Sequence, residues 1–358
     1  MKKVVIFLVT LAFIGLSSNV QAQTVIVEKT SESTILRGAK LDAKFEWLGR
    51  NAESHNIYIV EVNANENIAP RTFEYKGAIN ITIILRGDSI NRTIRLTSNG
   101  TMFTIKSNVT FILDNNITLR GHSQNTGNMV NVEGGIFKMN DGATITGNKG
   151  ESGVYVRWGT FEMIGGVISE NTAFEGGGVY NRGTFTLNGG MISGNTASNG
   201  GGVYNSGNFI ISNGTISENA ASNGGGISIY GDFEMNGGTI SGNDASLSGG
   251  GVYVFWQFNS AIFNMRGGTI TNNTATEYGG GVYVNNNKFT KISGTITGYN
   301  SDPDNGNVVK DNNGVLPRRG HAVYVKKGDF LGDKERRKET TVGMKVNLSS
   351  DNDANWDQ

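Results

Sequence analysis

A repeat of about 24 residues, in which a Gly is followed by an aliphatic residue and usually Tyr, constrains this chain more than any other feature. The aliphatic residue recurs at Val154, Val179, Val203, Ile227, Val252 and Val282. Each unit contains three short extended pieces separated by Gly or Asn, which leaves no room for the crossover helix of an open parallel sheet. Successive units must therefore stack coil on coil. The sequence predicts an all-β fold, a right-handed parallel β-helix (β-solenoid) with three short strands per coil.

Apolar residues alternate within the second strand of each unit, as in strands with one buried face. The expected inward pairs are Phe185 and Leu187, Phe209 and Ile211, Phe233 and Met235, and Phe263 and Met265. No Pro occurs between residues 71 and 302, as expected where every strand donates backbone N–H groups to a neighbour. We therefore expect a continuous core that is one side chain deep.

A column of Asn residues follows the third strand of the units. Its members are Asn148, Asn171, Asn195, Asn219, Asn243 and Asn273. Asn tolerates the left-handed backbone of a tight corner, and its amide can both donate a hydrogen bond and accept one. We therefore expect a structural Asn ladder that connects the coils. Neutral amides without carboxylates bind cations poorly, so we assign no metal ligands to this column.

Residues 1–22 have the pattern of a secretory signal peptide. Lys2 and Lys3 precede an apolar run, and Val20-Gln21-Ala22 forms a small-residue cleavage site. The run is too short to span a bilayer, and we expect no transmembrane segment in the mature chain. The pattern predicts a secreted or cell-surface protein.

The segments at the two ends of the chain are less regular than the repeats between them, because the ends of a solenoid must cover an apolar core and unpaired strand edges. We expect an N-terminal cap over residues 23–75, the β-helix over 76–325, and a C-terminal cap with a polar tail over 326–358. Leu41, Phe45 and Leu48 lie at helical spacing. This spacing predicts a short amphipathic capping helix over residues 39–51.

Composition excludes several classes of function. Lys and Arg together number 31, as do Asp and Glu, so the chain lacks the basic character that nucleic-acid binding requires. The absence of Cys excludes disulfides, thiolate catalysis and Cys-ligated zinc. We expect a monomer without a cofactor and without a nucleic-acid partner.

Two further motifs carry a resemblance to a known family. Gly-Gly-Gly-aliphatic occurs at residues 176–179, 200–203, 224–227, 249–252 and 279–282, and Phe-x-x-Asn occurs at residues 137–140, 185–188 and 233–236. With these motifs, residues 129–325 resemble Gly-rich right-handed parallel β-helix repeat proteins of bacterial surfaces, in particular the repeat of chlamydial-type polymorphic outer-membrane proteins. The resemblance implies a surface-exposed passenger used in adhesion. The third residue of the first motif is Ala in that family and Gly here.

Enzymes that cleave polysaccharides share the parallel β-helix architecture, so a polysaccharide lyase or glycoside hydrolase is the alternative function. The candidate acids are Glu162 and Glu234 in the second strand, with Glu170 and Glu218 at the corner before the Asn ladder. The repeat separates each pair by two or three coils, about 10 to 15 Å. This separation does not suit paired carboxylates, and we assign no catalytic residue.

The chain also lacks a pattern that predicts a metal centre or a triad. Its histidines are widely separated, at His55, His122 and His321. Asp302, Asp304 and Asp311 cluster in a long insert between two repeat units, which leaves a loop-borne cation site as a less favoured hypothesis.

The first strand of the units supplies the candidate binding residues. Valines flank the Tyr in most units, so period-two geometry sends the valines inward and the Tyr outward. The candidates are Tyr155, Tyr180, Tyr204, Tyr253 and Tyr283, with Ser228 interrupting the column. Such an amphipathic stripe could contact sugars or proteins. Alternatively, its rings stack on one another and shield the strand backbone.

Three functional hypotheses follow. The favoured one is a noncatalytic, adhesin-like protein at the cell surface or secreted from it, which presents a rigid repeat face to a glycan or protein partner. The others are the polysaccharide lyase or hydrolase, and a purely structural extracellular repeat protein.

Overall fold

The structure is a computed structural model that describes residues 5–7, 24–255, 261–285, 288–299, 302–316 and 319–326. Within these residues the secondary structure is β apart from one helix, Leu41–Asn51. Parallel strands stack into three sheets, A, B and C, and sheets B and C have ten strands each. The chain is therefore a β-solenoid, and the predicted parallel β-helix is confirmed.

The strands of each sheet follow one another along the chain, one per coil, apart from an antiparallel start of sheet A. Sheet A contains Val5–Phe7, Val25–Lys29, Thr34–Gly38, Ile57–Val62, Ile81–Gly87, Val109–Leu113, Ile136–Met139, Thr160–Met163, Thr184–Leu187, Asn208–Ile211, Asp232–Met235, Ile262–Met265 and Lys288–Lys291. Sheet B contains Glu66–Ile68, Arg92–Leu96, Ile117–Arg120, Ala143–Thr146, Val167–Ser169, Met191–Ser193, Thr215–Ser217, Thr239–Ser241, Thr269–Thr271 and Thr295–Ile296. Sheet C contains Arg71–Phe73, Phe103–Lys106, Val130–Glu133, Val154–Val156, Val179–Asn181, Val203–Asn205, Ile227–Ile229, Val252–Val254, Val282–Asn285 and Val323–Lys326.

A smaller sheet, D, lies at the corner between sheets B and C in the later coils. Its strands are Ala220–Asn223, Asp244–Ser248, Thr274–Ala275, Val308–Asp311 and Gly314–Val315. The long insert between Val282 and Val323 supplies its last two strands, which pair antiparallel with each other. The insert is therefore an enlarged coil of the solenoid.

The core consists of the predicted inward residues. The eight side chains of the four expected Phe pairs are all buried. Their rings stack along the axis, with centroids 4.8 Å apart between Phe161 and Phe185 and 4.6 Å apart between Phe185 and Phe209. Identical residues meet because the strands pair in register, so each coil places its Phe directly on the Phe of the coil before.

The helix covers the N-terminal end of this core. Leu41, Phe45 and Leu48 are buried as their spacing predicted. Lys44 is also buried, and its ammonium donates a hydrogen bond to the carbonyl oxygen of Glu61 at 2.5 Å. This bond gives the buried cation a polar partner, although burial lowers the pKa of Lys44.

The first coil with strands in all three sheets comprises Ile57–Val62, Glu66–Ile68 and Arg71–Phe73. Coil stacking therefore starts at Ile57, ahead of residue 76, where we expected the β-helix to begin. The signal peptide expected over residues 1–22 lies outside the described residues except for Val5–Phe7, which pairs antiparallel with Val25–Lys29. The C-terminal cap and tail expected over 326–358 lie outside them beyond residue 326.

The Asn ladder is confirmed. From Asn171 to Asn273, each side-chain Nδ2 donates to the Oδ1 of the Asn one coil further on, at 2.7 to 3.0 Å. The backbone N–H of each of these residues donates to the same oxygen, at 3.0 to 3.1 Å. Both acceptor sites of each such oxygen are thus used by the protein, which argues against a cation on the column.

The ladder is longer than the sequence predicted. Asn125 donates to Asn148 at its start, and Asn273 donates to Asn307 at its end. Asn307 escaped the sequence pattern because the insert places it 34 residues after Asn273. A second buried amide contact, from Asn181 to Asn205, links two coils of sheet C.

One expectation about the ladder corner was wrong. The left-handed backbone belongs to the residue before the Asn, at Gly194 and Gly242 and also at Glu170, Glu218 and Asn272, where φ is 57°, 58° and 53°. The residue in this conformation points its side chain to solvent, whereas the Asn that follows turns inward. We expected the Asn both to take the left-handed backbone conformation and to make the ladder hydrogen bonds. In the structure the preceding residue takes that conformation, and the Asn makes the hydrogen bonds.

Close approach of adjacent coils explains the third Gly of the Gly-Gly-Gly-aliphatic motif. A Cβ at Gly202 would lie 2.7 Å from the carbonyl oxygen of Gly226 and 3.0 Å from the amide nitrogen of Asn219. The Ala of the resembled repeat would not fit here unless the next coil moved. Gly at this position therefore lets the ladder and the backbone pairing coexist.

We predict that Asn219→Ala lowers the free energy of unfolding by about 1 to 3 kcal/mol, because the backbone N–H of Asn195 and the carbonyl oxygen of Ile192 lose the hydrogen bonds that they make with the side chain of Asn219. The measurement is the urea midpoint of the variant. Asn208→Ala, at an exposed position of sheet A, is the matched control and should change the free energy by less than about 0.5 kcal/mol. Equal midpoints for the two variants would contradict a ladder that stabilises the fold.

Candidate functional site

The outer face of sheet C carries the predicted tyrosines. In Val154–Val156 the two valines are buried in the core and Tyr155 points outward between them, as strand alternation requires. Register then places Tyr155, Tyr180 and Tyr204 beside one another in successive coils. The structure brings the candidate binding residues together on one wall.

These rings form a continuous file along seven coils, which we call the aromatic file. Its members are Tyr155, Tyr180, Tyr204, Tyr230, Phe255, Tyr253, Tyr283 and Tyr324. Ring centroids are 5.0 Å apart between Tyr155 and Tyr180 and 4.9 Å apart between Tyr180 and Tyr204. At the far end, Tyr283 and Tyr324 are stacked with centroids 5.6 Å apart.

Ser228 does not interrupt the file, contrary to our expectation. Tyr230, two residues further along the same wall, places its ring 4.7 Å from that of Tyr204 and 4.5 Å from that of Phe255. Two residues along a strand return to the same face, so a ring from position 230 can fill the space above Ser228. The sequence carries this signal as a second column, because Tyr230 and Phe255 each lie two residues after the position of the repeat tyrosine.

The file is also less accessible than we expected. Tyr204, Tyr253, Tyr283 and Tyr324 retain only 6 to 9% of their accessible surface, whereas Tyr155 and Tyr180 are half-buried. The rings cover one another because identical residues in neighbouring coils lie about 4.8 Å apart, close to the stacking distance of aromatic rings. The surface that the file leaves to a partner is therefore greatest at Tyr155, Tyr180 and Tyr230, which are only partly buried.

Stacking also keeps the phenols neutral. Burial raises the pKa of Tyr180 and of Tyr230 to about 12. Burial likewise raises the pKa of Tyr204, Tyr253 and Tyr283 above the usual range. An interaction between the hydroxyls of Tyr204 and Tyr230 also affects their pKa values. The hydroxyl groups of Tyr180, Tyr204, Tyr230, Tyr253 and Tyr283 are therefore neutral groups that can donate or accept hydrogen bonds.

Charged residues flank the start of the file on both sides. On one side, the interaction of Arg182 with the hydroxyl of Tyr155 raises the pKa of Arg182. Arg157, in the coil before, lies over the ring of Trp158 with its Cζ 4.3 Å from the ring centroid. On the other side, the charge of Glu175 adds to the burial that raises the pKa of Tyr180. Sequence reasoning missed Arg157, Trp158 and Arg182 because they follow the repeat motif in only one or two units and do not recur along the chain.

The candidate acids remain apart, as the register predicted. Thr186 and Ile210 occupy the two coils between Glu162 and Glu234. Glu162 pairs with Lys138 at 2.8 Å and Glu234 pairs with Arg266 at 3.2 Å. Glu170 and Glu218 are exposed corner residues with the coil of Gly194 between them.

The histidines and the acids of the insert also lie in separate places. His55 is an exposed corner residue, and His321 is buried with its Nδ1 accepting a hydrogen bond from the N–H of Val309 at 2.9 Å. Asp302 accepts hydrogen bonds from the backbone N–H groups of Asp304 and Asn305 and thereby shapes its own turn. In the part of the chain that the structure describes, no three His, Cys, Asp or Glu side chains are grouped so as to hold a metal ion.

Comparisons with known proteins add no assignment. No model of a known protein family, no curated protein and no solved structure matches the chain. Among the described residues, no helix has the length and apolar character needed to cross a membrane.

We predict that Tyr204→Ser lowers the free energy of unfolding by about 2 to 4 kcal/mol, because the ring is buried between those of Tyr180 and Tyr230. Tyr204→Phe keeps the ring and removes only the hydroxyl with its interaction with Tyr230, so it should cost about 1 kcal/mol or less. An unfolding midpoint of Tyr204→Ser equal to that of the unmodified protein would show that the file does not contribute to stability.

We also predict that stability falls as the pH rises from about 10 to 12. Tyrosines of the unfolded chain ionise near pH 10, whereas the raised pKa values of Tyr180 and Tyr230 keep them protonated in the folded state. The folded state then binds more protons, so the free energy of unfolding decreases with pH. Urea midpoints and ultraviolet titration of tyrosinate measure this. Ionisation of every Tyr near pH 10 in the folded protein would contradict the prediction.

Proposed function

We propose that this chain is a noncatalytic binding protein of the cell surface or the extracellular medium, adhesin-like, which contacts glycan or protein partners through the outer face of sheet C. The observation that carries the proposal is the unbroken aromatic file. A file of this kind places a Tyr hydroxyl in each of seven successive coils, which suits extended or repetitive partners better than a single small molecule.

Rigidity supports a binding role. The strands beneath the file are paired on both sides from Val130–Glu133 to Val282–Asn285, and their inward side chains are packed in a continuous core. A partner therefore meets hydroxyl groups that lose little conformational freedom on binding, which reduces the entropic cost of association. Tyr is also favoured at interfaces because it offers a large, stiff ring and a polar tip.

The alternative of a polysaccharide lyase or hydrolase has less support. Glu162 and Glu234 are separated by two intervening coils, and each is paired with a cation on the outer face of sheet A. Retaining hydrolases place two carboxyl groups about 5 Å apart, and three steps of about 4.8 Å exceed that distance.

We also propose that the chain is exported and that it acts in adhesion. The signal-like pattern of residues 1–22 and the resemblance of residues 129–325 to surface-protein repeats support a location outside the cytoplasm. We propose that the exported chain acts as a monomer.

The test is binding of the purified chain, with residues 1–22 removed, to a glycan array and to immobilised extracellular proteins. The double variant Tyr180→Phe with Tyr204→Phe removes two outer hydroxyls and keeps both rings. It should weaken binding about fivefold or more, since each net hydrogen bond contributes about 1 kcal/mol. Thr215→Val with Thr239→Val, on the outer face of sheet B, is the matched control and should leave affinity unchanged.

Two results would contradict the proposal. One is binding that the sheet B variant weakens and the tyrosine variant does not. The other is release of unsaturated or reducing sugar products that stops when one carboxylate is changed to its amide, which would establish the enzyme instead.

A further inference from the structure

The corner that joins sheets C and A changes length beside Trp158. Register pairs Val156 with Asn181 and Thr160 with Thr184, so residues 157–159 connect the strands in one coil and only residues 182–183 do so in the next. The extra residue of the longer corner is Trp158. The next coil has no residue to stack on it, and the indole is 56% exposed.

The indole nevertheless has a defined position. The guanidinium of Arg157 lies over the ring, and the coil before has Gly134 at the matching place, where a Cβ would come within 3.2 Å of the indole Nε1. The absence of a side chain at Gly134 thus makes room for the indole. Trp158 therefore lies exposed where the corners of the two coils differ in length. We call this residue, together with Arg157, Arg182 and Tyr155, the shelf.

The charge around this shelf is positive. Arg157 pairs with Glu133 at 2.7 Å, and Lys106 pairs with the same carboxylate. Arg182 follows Asn181 as Arg157 follows Val156 in the coil before, and it makes no ion pair with a carboxylate of the described residues. Two cations therefore share the carboxylate of Glu133, and Arg182 retains guanidinium donors that a ligand can use.

We infer that the shelf formed by Trp158, Arg157, Arg182 and Tyr155 binds a carboxylated sugar residue, such as a uronic acid, of an acidic glycan. The exposed indole packs against the apolar C–H face of the sugar ring. Arg182 binds the carboxylate, because a guanidinium offers paired donors that match carboxylate geometry. The hydroxyls of the aromatic file then follow the neighbouring sugar residues along the axis.

A sugar fits these observations better than an acidic peptide does. The shelf combines one large exposed aromatic ring with cations on one side only, and Glu151 and Glu175 lie beyond the opposite edge of the file, where they would repel a chain with carboxylates on both sides. A glycan needs only one carboxylate, on the ring that packs against the indole, to reach Arg182, and it can present neutral hydroxyls of the neighbouring rings to the file. This inference rests on the proposed binding function and names its ligand class.

The test is calorimetric titration of the chain with a hexagalacturonate and with its fully methyl-esterified form, which has the same rings without the charges. We expect the acid to bind at least tenfold more tightly, with affinity that falls as salt is added. Trp158→Ala and Arg182→Gln should each weaken binding of the acid about tenfold. Arg266→Gln, an exposed Arg paired with Glu234 on sheet A, is the matched control and should not change it.

The inference is overturned if the acid and the ester bind equally, if Trp158→Ala and Arg182→Gln bind the acid as the unmodified chain does, or if a hexaglutamate binds as tightly with the same dependence on Arg182. In each case the array binding that depends on Tyr180 and Tyr204 is measured separately. Loss of the acidic-sugar preference with retained array binding rejects this ligand and leaves the proposed function standing.

Discussion

Parallel pairing of each coil with the next, in register, is the constraint on which the rest of this structure depends. Because the backbone repeats at about 4.8 Å, any residue that recurs once per coil meets its own copy at that distance. Amides and aromatic rings both interact favourably at this spacing. The inner Phe stack, the Asn ladder and the aromatic file are three consequences of one backbone arrangement.

The Asn ladder shows how the solenoid satisfies polar groups inside a narrow core. The chain must turn at every corner, and each turn leaves backbone groups without partners in a sheet. The side chain of Asn195, for example, donates to Asn219 and to the carbonyl oxygen of Ile168, while its backbone N–H shares the same acceptor on Asn219. The Gly residues beside the ladder permit the close contact that these bonds need. Ladder and glycines therefore depend on each other.

The features that we associate with function arise where the repeat is imperfect. A strictly regular wall would place a Tyr at position 228, and the Ser there makes room for Tyr230 to join the file from a second column. Corners of equal length would leave no residue without a counterpart, and the extra residue of the longer corner is the exposed Trp158, which lies against Arg157. Residues that recur in every coil stabilise the solenoid. Residues that depart from the repeat, such as Tyr230 and Trp158, give part of its surface side chains that the other coils lack.

The sequence by itself determined the architecture. Period-two alternation and the repeat of about 24 residues sufficed to predict the coils, the inward Phe residues, the Asn ladder and the separation of Glu162 from Glu234. Only the tertiary structure decided how much of each Tyr is exposed, which residue takes the left-handed backbone at the corner, and that Tyr230 joins the file of the repeat tyrosines while Trp158 is exposed at the next corner. The reason is physical: alternation and repeat length decide the direction of a side chain. Its exposure and its contacts depend on the volume and corner lengths of the coils above and below, which no single repeat unit contains.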